Sequence, residues 1–365
     1  MSDEKPADPL RYGWTTGACA AAAAKAAYTA LLTGEFPDPV TITLPRGQTP
    51  AFALAAHVLG TGRASAAIVK DAGDDPDVTH GALVRSTVKR GAPGSGVTFK
   101  AGEGVGTVTR PGLPLAVGEP AINPGPRGMI TAAIIEVAAA VGDSGDIEVT
   151  VAIPDGEAIA RKTLNGRLGI VGGLSILGTT GIVVPFSCSA WIHSIHRGID
   201  VARAVGLTHV AGATGSASEA AVARLYGLEE TALIDMGDFV GGMLKYIRAH
   251  PLPRVTVAGG FAKITKLGQG LLDLHSRAGP VDLRWLAERA QELGCDSAAA
   301  YAIAQANTAI DALDIARRAG LDLPPLVARH AYDAAVTVLR DSEVGLDIAI
   351  FDRDGALLAQ AGPGA

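Results

Sequence analysis

The chain of 365 residues is too long for one typical domain and favours two. Hydrophobic residues make up 48% of it but aromatic residues only 4%, and its formal net charge is −6. This acidic balance argues against a nucleic-acid-binding protein, which needs a basic face. The polar opening MSDEKPADP contains no signal peptide, and no apolar run is long enough for a membrane span. We therefore predict a cytoplasmic protein without nucleic-acid or membrane partners.

No metal site of the protein's own is expected. The three cysteines lie far apart, with neither a zinc spacing nor a disulfide framework. Residues 71–81, DAGDDPDVTHG, hold four aspartates and a histidine, which could bind a hard cation or contact a polar substrate. Their spacing does not fit an EF-hand loop, and Asp-Pro steps are ordinary in turns. A solvated connection and a functional loop both remain open.

The first half of the chain predicts one helix on a set of strands, then a second helix. The alanine-rich run 20–32 favours a helix, capped by Thr15 or Thr16 and stopped by Gly34. Residues 15–17 either offer backbone N–H groups to a negatively charged ligand or only cap the helix. Strands are predicted over 40–44, 66–70, 83–89, 97–100 and 147–154.

The second predicted helix follows a segment with three prolines. Residues 119–127 are predicted to be non-helical, and the helix to run over 128–141. Arg127 would then stand just before the helix, as a clamp for a carboxylate or as an ordinary surface arginine.

A glycine-rich stretch, residues 164–187, separates the two halves. It holds six glycines between short apolar runs, so no single helical or strand period fits it. Glycine is favoured where the chain needs positive φ or close approach, so the stretch is either a tightly packed crossover or a binding loop. The hydroxyls of Thr179 and Thr180 suit either interpretation.

After residue 187 helices and strands alternate. Strands are predicted over 208–213, 232–236 and 254–258, each followed by a loop with glycine, and a strand pair is predicted over 347–352 and 356–360. Such alternation predicts a parallel, doubly wound sheet whose ligands bind at the carboxyl ends of the strands. Neither GxGxxG nor a P-loop is present, so the crevice would take adenosine or an anion of unspecified type. Lys263, Lys266, His275 and Arg277 are predicted to share the helix after the third strand, as a basic face or an acidic-substrate site.

The predicted fold class is thus α/β combined with α+β in two domains. Residues 1–160 would form an α+β domain with a mixed or antiparallel sheet, and residues 161–187 the crossover. Residues 188–365 would form a doubly wound, Rossmann-like α/β domain, with the option that the last strands return to the first domain.

Six segments of this sequence resemble, in order, the successive motifs of the CbiD family, the cobalt-precorrin-5B C1-methyltransferases. They are WTTGACAAAAAKAA, DAGDDPDVTHGA, GEPAINPGPRGMI, KTLNGRLGIVGGLSILGTTGIVVPFS, the pair SASE and MGDFVG, and GGFAKITKLGQGLLDLHS. The departures, Gly125 and Gly128, put no major element in doubt. The resemblance implies C-methylation at C1 of a cobalt-bound tetrapyrrole in anaerobic cobalamin biosynthesis, with S-adenosylmethionine as methyl donor. Cobalt would arrive only as part of this corrin precursor.

On that basis we assign candidate residues to three roles. The crevice of the α/β domain would hold the donor through Thr214, Gly215, Ser216, Gly237, Asp238, Gly259 and Gly260. The carboxylate-rimmed tetrapyrrole would meet Thr15, Thr16, Arg127, Arg167, Thr179, Thr180, Lys263 and Lys266. Candidates for a base are His80, Asp75 and His275.

Two other classes of protein remain as alternatives. A nucleotide-dependent oxidoreductase would use the same crevice, although the missing GxGxxG counts against it. A non-catalytic tetrapyrrole-binding protein would need the basic residues but no donor site. A homo-oligomer, or contact with neighbouring enzymes of the pathway, is compatible with each of these.

Overall fold

The computed structural model describes residues 9–340 and 342–363, so most of the polar opening segment lies outside the described residues. The chain divides into two compact units, Met1–Ser187 and Cys188–Ala365. Within the described ranges, no helix combines the length and the apolar character that crossing a membrane requires.

The first unit is built on a five-stranded sheet of order β4-β5-β6-β9-β7, antiparallel except for the pair β7 and β9. Its elements are β1 (Gly13–Trp14), α1 (Thr16–Thr33), β2 (Val40–Thr41), β3 (Ala51–Phe52), β4 (Ala56–Gly60), β5 (Arg63–Val69), β6 (Leu83–Arg90), β7 (Val97–Ala101), β8 (Thr107–Val108), α2 (Pro124–Val141), β9 (Ile147–Ala152), α3 (Gly156–Ala160), β10 (Ile170–Val171) and β11 (Ile182–Val183).

Helix α1 forms the centre of this unit because its alanines are small. It lies between α2 and strands β5 and β6, and nearly all of its residues up to Ala30 are buried. The helix backbone comes so close to the sheet that the Ser86 hydroxyl donates to the Ala20 carbonyl at 2.8 Å. Thr15 caps the helix and Gly34 ends it in the left-handed region, as predicted.

Helix α2 begins earlier than predicted. The sequence predicts that 119–127 is non-helical, but the helix starts at Pro124. Proline is well suited to the first turn of a helix, where its missing N–H would have no partner inside the helix. Arg127 therefore lies inside the first turn of α2 and not before the helix. The strand predicted over 40–44 is also shorter, and β4 was not predicted.

The second unit is built on a sheet of order β13-β12-β14-β15-β16, parallel except for β16. Its elements are α4 (Cys188–Ala204), β12 (His209–Ala213), α5 (Ser216–Tyr226), β13 (Leu233–Asp235), α6 (Val240–Ala249), β14 (Arg254–Gly260), α7 (Phe261–Gly268), α8 (Leu283–Glu292), α9 (Ser297–Ala304), α10 (Ala309–Arg318), α11 (Leu323–Leu339), β15 (Gly345–Phe351) and β16 (Leu357–Ala361).

Helices cover both faces of this sheet. On one face, Ala211, Ala258 and Ala349 pack with α5. On the other, the larger side chains of β14 and β15 pack with α7 and α11. Both final strands, β15 and β16, belong to this sheet and not to the sheet of the first unit. The prediction of a mixed α/β protein is confirmed.

Candidate functional site

The order of the strands in the second unit creates a point where the chain direction across the sheet reverses. From β12 the chain goes to β13 on one side and then to β14 on the other. The two loops that leave β12 and β14 touch there, because the Thr214 amide donates to the Ala258 carbonyl at 3.0 Å. A Cβ on Gly259 would stand 2.9 Å from the Thr214 hydroxyl oxygen, so this approach requires glycine. Open α/β sheets bind their ligands at such a point.

The loop after β13 lies beside this point. The Gly237 amide donates to the Ala213 carbonyl at 3.0 Å, and Gly237 adopts a φ of +55°. Gly215 and Ser216, at the start of α5, are exposed. The structure thus brings the predicted donor-binding residues of the three loops to one edge of the sheet.

Trp191 is a residue of this edge that the sequence analysis missed. It lies in the first turn of α4, and its indole Nε1 donates to the Asp235 carbonyl at 3.0 Å. Three of its ring atoms lie 3.3–3.4 Å from the point where a Cβ on Gly237 would stand. The indole is nevertheless 45% exposed. The sequence offered only one signal, an aromatic residue in a chain with few of them.

Asp238 is part of a closed ring of interactions. Its carboxylate Oδ1 is ion-paired with Lys263 of α7, and Lys263 also donates to the Leu274 carbonyl at 3.1 Å. The ring closes because the Leu274 amide donates to the Asp238 carbonyl at 2.8 Å. The Asp238 and Lys263 side chains are 20% and 36% exposed. This ring ties the loop after β13 to the segment that follows α7.

Lys266 also holds the segment that follows α7. Its residue is 6% exposed, and its ammonium donates to the carbonyls of Leu274 and His275 at 3.1 and 3.2 Å. Burial lowers the pKa of Lys266, and the nearby Lys263 charge lowers it further. The geometry therefore gives this predicted substrate ligand a position facing the protein's own backbone.

The predicted sharing of one helix by Lys263, Lys266, His275 and Arg277 is wrong. Helix α7 ends at Gly268, soon followed by Gly270 in the left-handed region. His275 and Arg277 lie beyond this end, where the His275 Nδ1 accepts from the Arg277 amide at 3.1 Å.

In the first unit, the glycine-rich stretch packs against the N-terminus of α1. The Gly17 amide donates to the Leu177 carbonyl at 3.1 Å, and the Leu177 amide donates to the Thr16 hydroxyl at 3.0 Å. A Cβ on Gly178 would stand 2.4 Å from the Thr15 side chain. Thr15 and Thr16 are buried with hydroxyls bound to the protein, whereas Thr179 is exposed. The Thr180 hydroxyl accepts from the Ile182 amide at 3.2 Å.

Each aspartate of the 71–77 loop binds another part of the first unit. Asp71 is ion-paired with Arg11, Asp74 accepts from the Arg11 amide at 2.7 Å, Asp75 accepts from the Phe186 amide at 2.9 Å, and Asp77 is ion-paired with the buried Lys70 at 2.7 Å. Across residues 9–340 and 342–363, no group of three or more His, Cys, Asp or Glu side chains is placed to hold a metal ion.

The hydrogen bonds of His80 and His275 indicate the same tautomer for both rings. The Ala72 amide donates to the His80 Nδ1 at 3.1 Å, as the Arg277 amide does to His275. A neutral ring that accepts at Nδ1 carries its proton on Nε2, an assignment made from these donors. Both residues are exposed, and each ring in this tautomer carries an N–H on Nε2. Asp75 accepts the Phe186 amide on Oδ1 and keeps Oδ2 as an acceptor.

The two predicted arginine ligands lie in the first unit. Arg127 donates from Nε to the Ile122 carbonyl at 2.7 Å and from Nη2 to Glu119 at 3.3 Å, and its guanidinium lies over the Phe99 ring. Arg167 is partly buried, and its carbonyl accepts from Arg110. Arg127 thus fastens the proline-rich segment to the first turn of α2.

The fold and the loops described above define a mixed α/β protein of two units with a candidate ligand site at the carboxyl edge of a largely parallel sheet. The chain belongs to the CbiD family: the CbiD family model matches residues 3–185, and the model of the CbiD C-terminal domain matches residues 273–362. The predicted resemblance is confirmed.

Curated relatives cover nearly the whole chain. A protein of a Bradyrhizobium species is 64% identical over 96% of this chain and 94% of its own, and one of Agrobacterium fabrum is 63% identical over 95% and 92%. Both are named cobalt-precorrin-5B C(1)-methyltransferase. The crystal structure of a cobalamin biosynthesis protein (cbiD) from Archaeoglobus fulgidus is 28% identical, with a TM-score of 0.40 over 68% of this chain and 77% of that one.

Proposed function

We propose that this chain methylates cobalt-precorrin-5B at C1, giving cobalt-precorrin-6A in anaerobic cobalamin biosynthesis, with S-adenosylmethionine as the donor. One observation carries the proposal: relatives at 57–64% identity, each matching almost the whole chain, bear the name of this methyltransferase. The enzyme class predicted from the sequence, a methyltransferase, is confirmed by these names. The cytoplasmic location and any oligomer or partner enzyme stay predictions.

The donor site belongs, in this proposal, to the carboxyl edge of the second unit's sheet. Support for a doubly wound, Rossmann-like unit comes from the strand order β13-β12-β14-β15 and from the helices on both faces. The adenosyl group would lie over Thr214, Gly215 and Ser216 on one side of the reversal point and Gly259 and Gly260 on the other. In dinucleotide-binding folds an acidic residue about 20 residues beyond the first loop binds the ribose hydroxyls. Asp238, in the loop that follows the second strand β13, would take this role.

Trp191 adds an aromatic wall to this edge. An exposed indole held by a hydrogen bond to Asp235 is a rigid surface on which adenine stacks at small entropic cost. We therefore add Trp191 to the predicted donor-binding residues.

The methyl transfer requires the protein mainly to position the donor and the acceptor. The nucleophilic ring carbon supplies the electron pair of the new C–C bond, and sulfur keeps the pair of the breaking S–CH3 bond. Because the sulfonium is already a strong electrophile, catalysis depends on holding donor and acceptor in line and on excluding water. The cobalt stays within the substrate.

The other candidate residues have proposed roles toward the tetrapyrrole. Of the three candidate bases, Asp75 is the group whose Oδ2 retains lone pairs for a proton. His80 and His275 are exposed and accept at Nδ1, so their Nε2–H groups suit donation to the carboxylates on the rim of the macrocycle. Thr179, Arg127 and Arg167 remain further candidates for that rim.

Calorimetric titration with S-adenosylmethionine and S-adenosylhomocysteine, with NAD as control, tests the donor site. We expect both sulfur ligands and not NAD to bind, and Asp238→Asn to weaken both, by up to about tenfold for S-adenosylmethionine, because a hydrogen bond to a charged acceptor is lost. Asp314→Asn, an exposed carboxylate of α10, serves as the matched control.

Each other outcome has a defined meaning. Unchanged affinity in Asp238→Asn would place the donor elsewhere, and binding of NAD would favour the oxidoreductase. If neither sulfur ligand binds, the titration is repeated with a cobalt corrinoid present. Donor binding under that condition alone supports an ordered mechanism, and its absence favours the tetrapyrrole carrier.

A further inference from the structure

We propose that the Asp238–Lys263 ion pair determines how the donor site discriminates between the positively charged methyl donor and its neutral product. This inference rests on the proposed function, because it takes S-adenosylmethionine as the ligand of the site. It gives Lys263 a role different from the predicted clamp on substrate carboxylates.

The contacts of Lys263 assign it to the loop after β13. Its ammonium is ion-paired with the Asp238 Oδ1 and donates to the Leu274 carbonyl, while the Leu274 amide donates back to the Asp238 carbonyl. Two of the three protons of the ammonium are thereby used within the ring. The Asp238 Oδ2 carries no hydrogen bond from the described residues, so it remains for a ribose hydroxyl.

The other charged groups near the Asp238–Lys263 pair form hydrogen bonds with the backbone. Lys266 is buried and donates to two carbonyls, and Asp273 accepts from the His275 amide in the exposed segment after α7. Lys263 is the cation in direct contact with the Asp238 carboxylate. With both partners present, Asp238 and Lys263 contribute a net charge of zero.

A neutral pair suits a reaction that removes a positive charge. The sulfonium loses its charge when the methyl group leaves, and in the proposed pose it stands one ribose away from Asp238. An unpaired carboxylate there would stabilise the donor more than the transition state and would slow the transfer. An unpaired ammonium would repel the donor and leave the neutral thioether as the tighter ligand. With the ion pair intact, neither the slower transfer nor the repulsion of the donor occurs.

The ratio of the two dissociation constants, that of S-adenosylhomocysteine over that of S-adenosylmethionine, measures this discrimination. We expect Lys263→Met to raise the ratio about fivefold and Asp238→Asn to lower it by a similar factor, since each leaves one charge near the sulfonium. Lys263→Arg keeps the charge and should keep the ratio. Lys266→Arg disturbs a second support of the Leu274 carbonyl without changing the charge beside the pair, so both constants should change together.

The outcomes separate this inference from the proposed function. If both ligands bind and the ratio is the same in wild type, Lys263→Met and Asp238→Asn, the inference is overturned but the proposed methyltransferase function stands. A change in both constants by one factor in Lys263→Met, as in Lys266→Arg, would also overturn it and leave Lys263 a purely structural support. If the wild type binds neither ligand, with or without a cobalt corrinoid, the proposed function itself fails. Thermal unfolding of each variant identifies any that does not fold; if Lys263→Met is one of them, the lower ratio expected for Asp238→Asn carries the comparison.

Discussion

The ring edge of Trp191 lies 3.3 Å from the point where a Cβ on Gly237 would stand. Gly237 also has a φ of +55°, a conformation that side chains with a Cβ rarely adopt. We expect Gly237→Ala to lower the free energy of unfolding by about 1–3 kcal/mol through backbone strain. We also expect it to weaken donor binding, because the indole or the loop must shift. Chemical denaturation and calorimetry measure the two effects.

Gly227→Ala is the matched control for this substitution. Gly227 ends α5 with a φ of +64°, and a Cβ there would meet no atom within 4 Å. Gly227→Ala should lower the free energy of unfolding by a comparable amount but leave the affinity for S-adenosylhomocysteine unchanged. Equal losses of affinity in the two variants would mean that strain in the second unit, and not the contact with Trp191, controls binding.

The proposed stacking of adenine on Trp191 leads to a separate prediction. Trp191→Ala should weaken binding of S-adenosylhomocysteine about 2- to 10-fold, the value of one aromatic stacking contact. Trp191→Phe should recover much of this loss, although it lacks the N–H that binds the Asp235 carbonyl. Tyr301→Ala, which removes a 69% exposed aromatic ring on α9, is the control. Equal affinity in Trp191→Ala and wild type would remove Trp191 from the donor site.

The sequence predicted those parts of the structure that depend on local signals. Thr15 and Gly34 mark the ends of α1 because caps act on the nearest turn. Alternating helices and strands predicted the order of elements in the second unit, because a parallel pair needs a crossover. The start of α2 was predicted too late because proline disfavours the interior of a helix but is well suited to its first turn.

What the sequence could not predict depends on residues distant along the chain. The contact of Gly178 with Thr15 joins segments separated by most of the first unit, and it explains a glycine that composition alone left undecided. Trp191 and Gly237 meet because α4 packs near β13. The partners of Lys263 depend on the path of the chain after α7. No local pattern encodes such distances, so the residue types could be predicted but not their partners.

In the first unit, Asp143 joins three elements and should matter for stability. Its carboxylate accepts from the Tyr28 hydroxyl of α1 and from Arg90 of β6 at 2.6–2.7 Å, and these bonds lower the pKa of Asp143 to about 2. Asp143→Asn should lower the free energy of unfolding at pH 7 by about 1–3 kcal/mol, since the buried Tyr28 loses a charged acceptor. Urea denaturation of wild type and variant measures the difference.

The same carboxylate predicts a window of acid sensitivity. A folded-state pKa below the ordinary value of about 3.9 stabilises the protein above that pH, and this contribution disappears as the pH falls through about 2. The difference between wild type and Asp143→Asn should therefore shrink between about pH 4 and pH 2. Glu157→Gln, which removes an exposed carboxylate of α3, should show little effect at either pH. A difference that stays constant down to pH 2 would contradict the assigned charge.

In the second unit, His209 also predicts a loss of stability as the pH falls, but near neutral pH and for a different reason. Its ring shares a hydrogen bond of 2.8 Å with the Thr256 hydroxyl and lies edge-on to Tyr226. Burial lowers the pKa of His209, the positive charge of Arg254 lowers it further, and Asp347 opposes them. Because the unfolded chain binds a proton more readily than the folded one, this group supports stability above about pH 6.5, and that contribution is lost as the pH falls through its folded-state pKa.

Differential scanning calorimetry between about pH 7.5 and 5 should show a falling unfolding temperature for the wild type. His209→Gln keeps a hydrogen-bonding amide but cannot titrate, so its unfolding temperature should fall less steeply, whereas His57→Gln, at an exposed site on β4, should follow the wild type. Parallel slopes for all three proteins would show that protonation of His209 is not linked to unfolding; His196, whose pKa burial also lowers, would then be the next histidine to replace.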